Sequence, residues 1–339
     1  MLPNVDPAIL DALGLEATSS KMVSHGGSGF SSTYKLTSTK DGKELAFFIK
    51  TATGPEAEIM FSGEHASLNA IHSAVPTLSL CPRSHAHGPL RSSPNKFFLA
   101  TDFLDFSPFS SSSSGTSSSP STDTGTGISL AAKLAKLHTT PAPAPPGQSK
   151  PMFGFPAPTC CGSTKQDNTF TESWAEFYAD RRLRPILREG ARRNGPDAEL
   201  GAAVERVASV VVPRLLGEGT LKGVVPVVVH GDLWSGNCGR GRIVGPGGKG
   251  VVEEMVYDPA AVYGHSEYEL GIMRMFGGFG RGFWEEYERL VPRAEPKGEW
   301  EDRVALYELY HHLNHYALFG GGYRSGALLI MKKLINKYG

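Results

Sequence analysis

Asp232 and Asn237 stand five positions apart in His230-Gly231-Asp232-Leu233-Trp234-Ser235-Gly236-Asn237, directly behind an apolar run at 227–229. A carboxylate there can accept or orient the proton of an attacking hydroxyl, while an amide oxygen five residues on can hold a divalent cation on phosphate oxygens. Asp258, after a second apolar run, supplies another hard oxygen for the same cation. Taken alone, His-Gly-Asp can equally be a strand end tied to a turn, with Trp234 a buried aromatic.

Phosphoryl transfer demands more than this loop, and the chain has candidates in the required order. Near the N-terminus a strand-like segment leads into Gly26, Gly27, Ser28 and Gly29, then a second strand from Thr33. Glycines let backbone N–H groups approach phosphate oxygens that a Cβ would hold off. The loop lacks the Gly-Lys-Ser/Thr ending of a P-loop, so an ordinary hairpin remains an alternative for these residues alone. Next comes an apolar strand ending in Lys50, then a helix-like segment containing Glu64. A lysine leaving such a strand is costly to bury unless paired, and Glu64 is its natural partner for gripping nucleotide phosphates. A fourth strand, 96–104, runs into a Ser- and Pro-rich stretch; backbone groups near Asp102 and Leu104 are expected to bond the adenine edge.

With this order in hand, the chain resembles the fructosamine kinase family, the ketosamine 3-kinases. The likeness extends through Met60-Phe61, Phe153-Gly154-Phe155, Thr159-Cys160-Cys161-Gly162, Gln166-x-Asn168, Trp174, Phe177-Tyr178 and Arg181-Arg182-Leu183. It continues in Asp258-Pro259-Ala260, Tyr263-Gly264-His265-x-Glu267, Phe276-Gly277-Gly278-Phe279, Leu313-Asn314-His315 and Phe319-Gly320-Gly321-Gly322-Tyr323, and so covers nearly the whole chain. It implies a two-lobed, protein-kinase-like α+β fold shared with aminoglycoside and choline kinases: a small antiparallel-sheet N-lobe over 1–104 and a mainly helical C-lobe over 105–339. It also implies ATP and Mg²⁺, with Asp232 catalytic, Asn237 and Asp258 on the metal, and Trp234, His230 and Glu267 on the substrate side. The implied reaction phosphorylates O3 of a ketosamine on a small amine or a protein lysine, the first step of deglycation. Ribulosamines are expected ahead of fructosamines.

Two departures from the family pattern stand out. The glycine-rich loop holds no cysteine, so redox-controlled dimerisation through that position is not expected. Ser266 replaces an arginine, and Glu269 an aspartate.

Composition narrows the partners. In 339 residues, 34 Lys and Arg balance 34 Asp and Glu, which argues against a broad nucleic-acid-binding face. The first residues lack a signal-peptide layout, and no apolar run approaches about 18 residues, so no membrane partner is expected. Four cysteines without a Cys-x-x-Cys pair suit a reducing cytoplasm. His311 and His315 share a helix face but have no evident third ligand, so packing or surface roles are preferred to zinc.

Spacing also bears on the acceptor. After Asp258 the Tyr263-Gly264-His265 segment arrives almost at once, leaving no room for a peptide-docking activation segment. Two other readings stay open: a kinase of the aminoglycoside or choline type, and a nucleotide-binding pseudokinase serving as an interaction module. Retention of Lys50, Glu64, Asp232, Asn237 and Asp258 speaks against the second. Residues 107–127, rich in Ser, Thr, Gly and Pro, are expected to form a flexible insertion.

Overall fold

The computed structural model describes residues 5–27, 29–106, 127–245 and 248–339. Ser28 and nearly all of the Ser-rich stretch lie outside these residues.

The chain opens with helix α1 (Pro7–Leu13), capped by the Asp6 carboxylate on the Ala8 N–H and ended by Gly14 in the left-handed region. Strands β1 (Ser20–Ser24), β2 (Ser32–Lys40) and β3 (Lys43–Thr53) follow, then helix α2 (Pro55–Ala74), β4 (Ser84–Pro89) and β5 (Lys96–Asp105). All pairings are antiparallel, in the order β1-β2-β3-β5-β4. Asp41 and Gly42, both at positive φ, make the tight β2–β3 turn that fixes Lys40 opposite Lys43.

Helix α2 lies against this sheet and the helical body below it. Its buried positions Ala57, Phe61, Leu68 and Ile71 trace one stripe, and Glu64 falls on that same stripe. A carboxylate on the core face of a helix requires a cation, and the sheet supplies one in Lys50.

After the undescribed stretch come α3 (Leu130–Thr139), the short hairpin β6 (Thr159–Cys161) and β7 (Thr164–Gln166), then α4 (Trp174–Tyr178), α5 (Arg184–Asn194), α6 (Ala198–Arg206) and α7 (Val212–Leu216). The periodicity of 170–188 and of 197–216 reads as amphipathic helix; in the structure α4 joins α5, and α6 joins α7, through wide π-type turns at 179–183 and 207–211. Pro185 and Pro213 follow those turns; proline has no N–H and crowds the carbonyl one turn back, and the wider turn absorbs both effects.

The remaining elements are β8 (Val227–Val229), β9 (Cys238–Gly245), β10 (Gly248–Lys249), β11 (Glu253–Val256), β12 (Val262–Gly264), α8 (Tyr268–Phe276), α9 (Arg281–Leu290), α10 (Trp300–Phe319) and α11 (Arg324–Tyr338). Strand β9 pairs with both β10 and β11, and also with the end of β5, where Phe103, Leu104 and Asp105 face Val244, Ile243 and Arg242. A division of the chain at 104 therefore falls inside a strand that belongs to both halves.

The largest core lies among the helices around Trp174, Phe177, Tyr178, Tyr268, Tyr307 and Tyr310. A second core joins Leu68 and Ile71 of α2 to α3, Val228 and Leu233, and so links the helix carrying Glu64 to the loop carrying Asp232. His311 is buried in the first core region against Tyr268 and Tyr310. No group of three or more His, Cys, Asp or Glu side chains able to hold a metal occurs among the described residues. No helix there is long and apolar enough to cross a membrane.

Candidate active site

Lys50 emerges from β3 into the cleft with its side chain nearly buried. Its ammonium reaches both oxygens of Glu64, at 2.8 and 2.9 Å, and Oδ1 of Asp258 at 2.7 Å. Burial alone would lower its pKa; the charges of Asp258 and Glu64 outweigh that and raise it, so the side chain stays a cation. Burial, aided by the charge of Asp258 and opposed by that of Lys50, raises the pKa of Glu64.

Asp232 sits in a loop whose backbone is held at almost every residue. Both oxygens of Glu269, fully buried on α8, accept from the loop: one from the His230 N–H, the other from the Gly231 N–H at 3.0 Å. His230 O accepts from Ala260 N, Asp232 O from Trp234 N, and Trp234 O from Asn237 N. Gly231 has φ +80°, and a Cβ there would meet Ala260 O at 2.2 Å, so the sharp turn before Asp232 requires glycine.

The Asp232 carboxylate has a distinct donor on each oxygen. Cys161 Sγ lies 3.5 Å from Oδ1, and Asn237 Nδ2 lies 3.3 Å from Oδ2. Burial pushes the Asp232 pKa up to about 8, aided by Asp258 and Glu269 and opposed by the bonds from Cys161 and Asn237. A carboxylate of this basicity suits proton acceptance from a hydroxyl near neutrality.

Three adjoining cavities meet at these residues. One, of about 210 Å³, is lined by Gly27, Phe48, Lys50, Leu68, Asp102, Leu104 and Asp258. The second, of about 320 Å³, runs from Gly27 and Gly29 past Lys50 to Asp232, Trp234, Asn237 and Asp258. The third, of about 300 Å³, opens from Asp232 and Trp234 between Phe276, His315, Phe319 and Tyr323. Gly26 has φ +72°, and nothing approaches within 4 Å of a Cβ built on Gly27 or Gly29. The glycine turn thus faces open space beside Lys50.

Asn237 and Asp258 both reach the second cavity, and half of the Asp258 side chain is open to solvent. One amide oxygen and one carboxylate are donors of the hard type that Mg²⁺ accepts, so the residues fit that ion.

Two residues expected on the substrate side, Glu267 and His230, are buried and bonded within the fold. Glu267 is buried away from the cleft, where its oxygens bind Arg303 Nε at 2.7 Å and Nη2 at 3.1 Å and accept from Ala294 N. A buried carboxylate needs such pairing, and it ties α8 to α10. His230 is fully buried, with Nε2 on Tyr257 O at 2.9 Å; it shapes the catalytic loop from behind. Burial also lowers its pKa. Trp234 does reach the site, 38% exposed and tilted against Phe276, with its ring folded over Gly236. Asp102 lines the first cavity, but its carboxylate is committed to Arg83 N and His85 Nε2, and its N–H to Arg83 O.

Sequence reasoning missed Glu269 as the anchor of the catalytic loop, although an acid inside the apolar stripe of α8 was a usable signal. Cys161 and Asn314 carried no comparable signal, since the contact of Cys161 with Asp232, and of Asn314 with Cys161, depends on how the β6–β7 hairpin meets α10.

Fold and site together define a two-lobed phosphotransferase of the protein-kinase-like class. An aminoglycoside phosphotransferase solved with ADP and hygromycin B aligns over 98% of both chains with a TM-score of 0.55 at 14% identity. A fructosamine-3-kinase candidate from Thermobifida fusca aligns over 98% of both chains with a TM-score of 0.69 at 24% identity. The chain belongs to the fructosamine kinase family, whose model matches residues 1–337. It is 33% identical to the ketosamine-3-kinase of Mus musculus over 94% of this chain and 97% of that protein. It is 31% identical to the chloroplastic protein-ribulosamine 3-kinase of Arabidopsis thaliana over 84% and 75% respectively.

Proposed function

We propose that this kinase transfers the γ-phosphoryl group of ATP to O3 of a ketosamine, ribulosamine ahead of fructosamine, borne on a small amine or a protein lysine. The observation that carries this reading is Asp232, set at the meeting point of a phosphate-facing cavity with Lys50 and an aromatic-walled cavity open to solvent. The relatives' printed activities supply the acceptor class.

Adenine enters the first cavity, where the N–H of Asp102 is already committed, so the hinge contact falls to the backbone at Leu104. The glycine turn around Gly26, Gly27 and Gly29 covers the phosphates. Lys50 grips them while Glu64 holds it by two oxygens. Incoming phosphate competes with Asp258 for the ammonium, and the single Asp258 bond yields before the paired bonds to Glu64. Asn237 and Asp258 would hold Mg²⁺, which supplies charge neutralisation on the phosphates. Asp232 accepts the O3 proton as that oxygen attacks in line; positioning and electrostatics provide most of the acceleration. Trp234 offers its exposed face to the sugar.

Asp258 leads through Pro259, Ala260 and Ala261 straight into β12, which pairs with β8, so no extended segment screens the acceptor side. That geometry suits a small sugar on a projecting side chain. Release of the amine from the 3-phosphate makes the reaction a repair step. We place it in the cytoplasm, where the four unpaired thiols persist.

An ADP-release assay comparing ribulose-lysine, fructose-lysine, choline and an aminoglycoside tests the assignment. Turnover of the first is expected to exceed the others. Turnover of choline or the aminoglycoside with silence on both ketosamines would refute it, and silence on all four would favour an interaction module.

A further inference from the structure

We propose that Cys161 is a positioning residue for phosphoryl transfer: its thiol donates to Oδ1 of Asp232 and is itself held in place by Asn314. This rests on the kinase reading of the site. A carboxylate is a planar group on a single bond, and only donors on both oxygens fix which lone pair meets the acceptor hydroxyl. Asn237 serves Oδ2, and the thiol serves Oδ1 at 3.5 Å. Asn314 Nδ2 lies 3.3 Å from both the sulfur and the backbone oxygen of Cys161, so one amide sets the residue and its side chain.

The hairpin behind the thiol is anchored as a rigid mount. Thr159 Oγ1 donates to Gln166 Oε1 at 2.9 Å, Gln166 Nε2 donates to Tyr310 OH at 2.7 Å, and Asn168 Nδ2 donates to Thr159 Oγ1 at 2.9 Å. Tyr310 and Asn314 are successive turns of α10. Such support is what holds a reacting group to the tolerance catalysis requires. A thiol is a weak donor, so it restrains the carboxylate while taking little of its basicity, whereas a strong donor would spend it. Burial and Asp232 keep the sulfur protonated and therefore a donor. Cys81 is the internal contrast: equally buried, it packs in the core and its thiol bonds the backbone oxygen of Leu68, away from Asp232.

Steady-state ADP release and thermal denaturation of Cys161→Ala, Cys161→Ser and Cys81→Ala test this. Cys161→Ala is expected to lose about 10- to 100-fold in kcat with the KM for ATP unchanged, as a misplaced reacting group does. Cys161→Ser, which still donates to Asp232 and accepts from Asn314 but takes more of the carboxylate's basicity, is expected to fall between Cys161→Ala and wild type in kcat. Cys81→Ala should keep its kcat. A Cys81→Ala enzyme that loses melting temperature but not kcat, beside a Cys161→Ala enzyme that loses kcat, separates positioning from packing; a Cys161→Ala enzyme with full kcat, or kcat following melting temperature in all variants, overturns the proposal. Asn314→Ala supplies an independent arm: a partial kcat loss that adds nothing on top of Cys161→Ala is expected, and additive losses overturn it. Wild-type silence on ketosamines would refute the substrate assignment instead. The variants are then compared on whichever acceptor is turned over, because the argument concerns Asp232 and not the sugar.

Discussion

Gly63 precedes Glu64 on α2 and faces the segment leading into β6, where a Cβ would lie 2.4 Å from Pro158 O and 3.0 Å from Thr159 Cα. Gly63→Ala therefore sets two effects of opposite sign against each other. Alanine favours the helix by about 1 kcal/mol over glycine. The added methyl needs roughly 3.4 Å from that oxygen, so α2 has to withdraw by about 1 Å, and both contacts are backbone atoms that no rotamer can move aside. Overpacking of this kind costs about 1–3 kcal/mol, and with main chain on both sides the upper end applies, which leaves a net loss near 2 kcal/mol. Withdrawal also carries Glu64 away from Lys50, whose bonds to it span only 2.8 and 2.9 Å. The expected result is a melting temperature lower by several degrees and a KM for ATP raised several-fold. Differential scanning calorimetry and ATP titrations at saturating acceptor read both. A variant that melts higher than wild type with unchanged ATP dependence would show that helix propensity wins and that α2 is not seated through Gly63.

Lys50→Ala should raise the KM for ATP and lower turnover, because Glu64 and Asp258 then repel the phosphates; an unchanged ATP dependence would remove Lys50 from its phosphate role. Asp232→Asn should cut kcat by on the order of 10³-fold while nucleotide still binds, as measured by titration calorimetry. Its stability carries a further signature in EDTA without nucleotide. The folded chain, with Asp232 moved from 3.8 to about 8, holds a proton that the unfolded chain releases between those values, so wild-type stability falls as pH rises through that window. The asparagine variant lacks this loss and should gain on wild type by about 1–2 kcal/mol between pH 5 and 9, after discounting for the partial exposure of Asp232. A pH-independent gap would contradict the shift. Glu267→Gln should destabilise the fold by about 3 kcal/mol by leaving Arg303 unpaired, without changing acceptor preference; a changed preference would return Glu267 to the substrate side.

Much of the catalytic layout was legible because its signals are local. Lys50 ends an apolar strand and Glu64 interrupts an apolar helix stripe, and each is costly to bury alone, so the pairing could be read before the fold was seen. The spacing of Asp232 and Asn237 carried the loop in the same way. What the sequence withheld depends on long-range packing. Glu267 and Glu269 lie two residues apart beside the same helix start, yet one serves Arg303 and the other the loop before Asp232. Nothing in their local pattern says which. The π-type turns ahead of Pro185 and Pro213 look from sequence like plain helix, since hydrophobic period survives one widened turn. Cys161 reads as a small packed residue until the hairpin is set against α10.

The ladder that joins the end of β5 to β9 has a mechanical consequence. Strand β9 begins at Cys238, immediately after Asn237, so the strand that borders the adenine cavity and the residue assigned to the cation share one stiff lever. Swinging the sheet outward to release ADP must either strip those rungs or tug on the cation site. With the roles proposed for Asn237 and Asp258, product departure and loosening of the ion would be geared together, and loss of the ion should ease the nucleotide's exit.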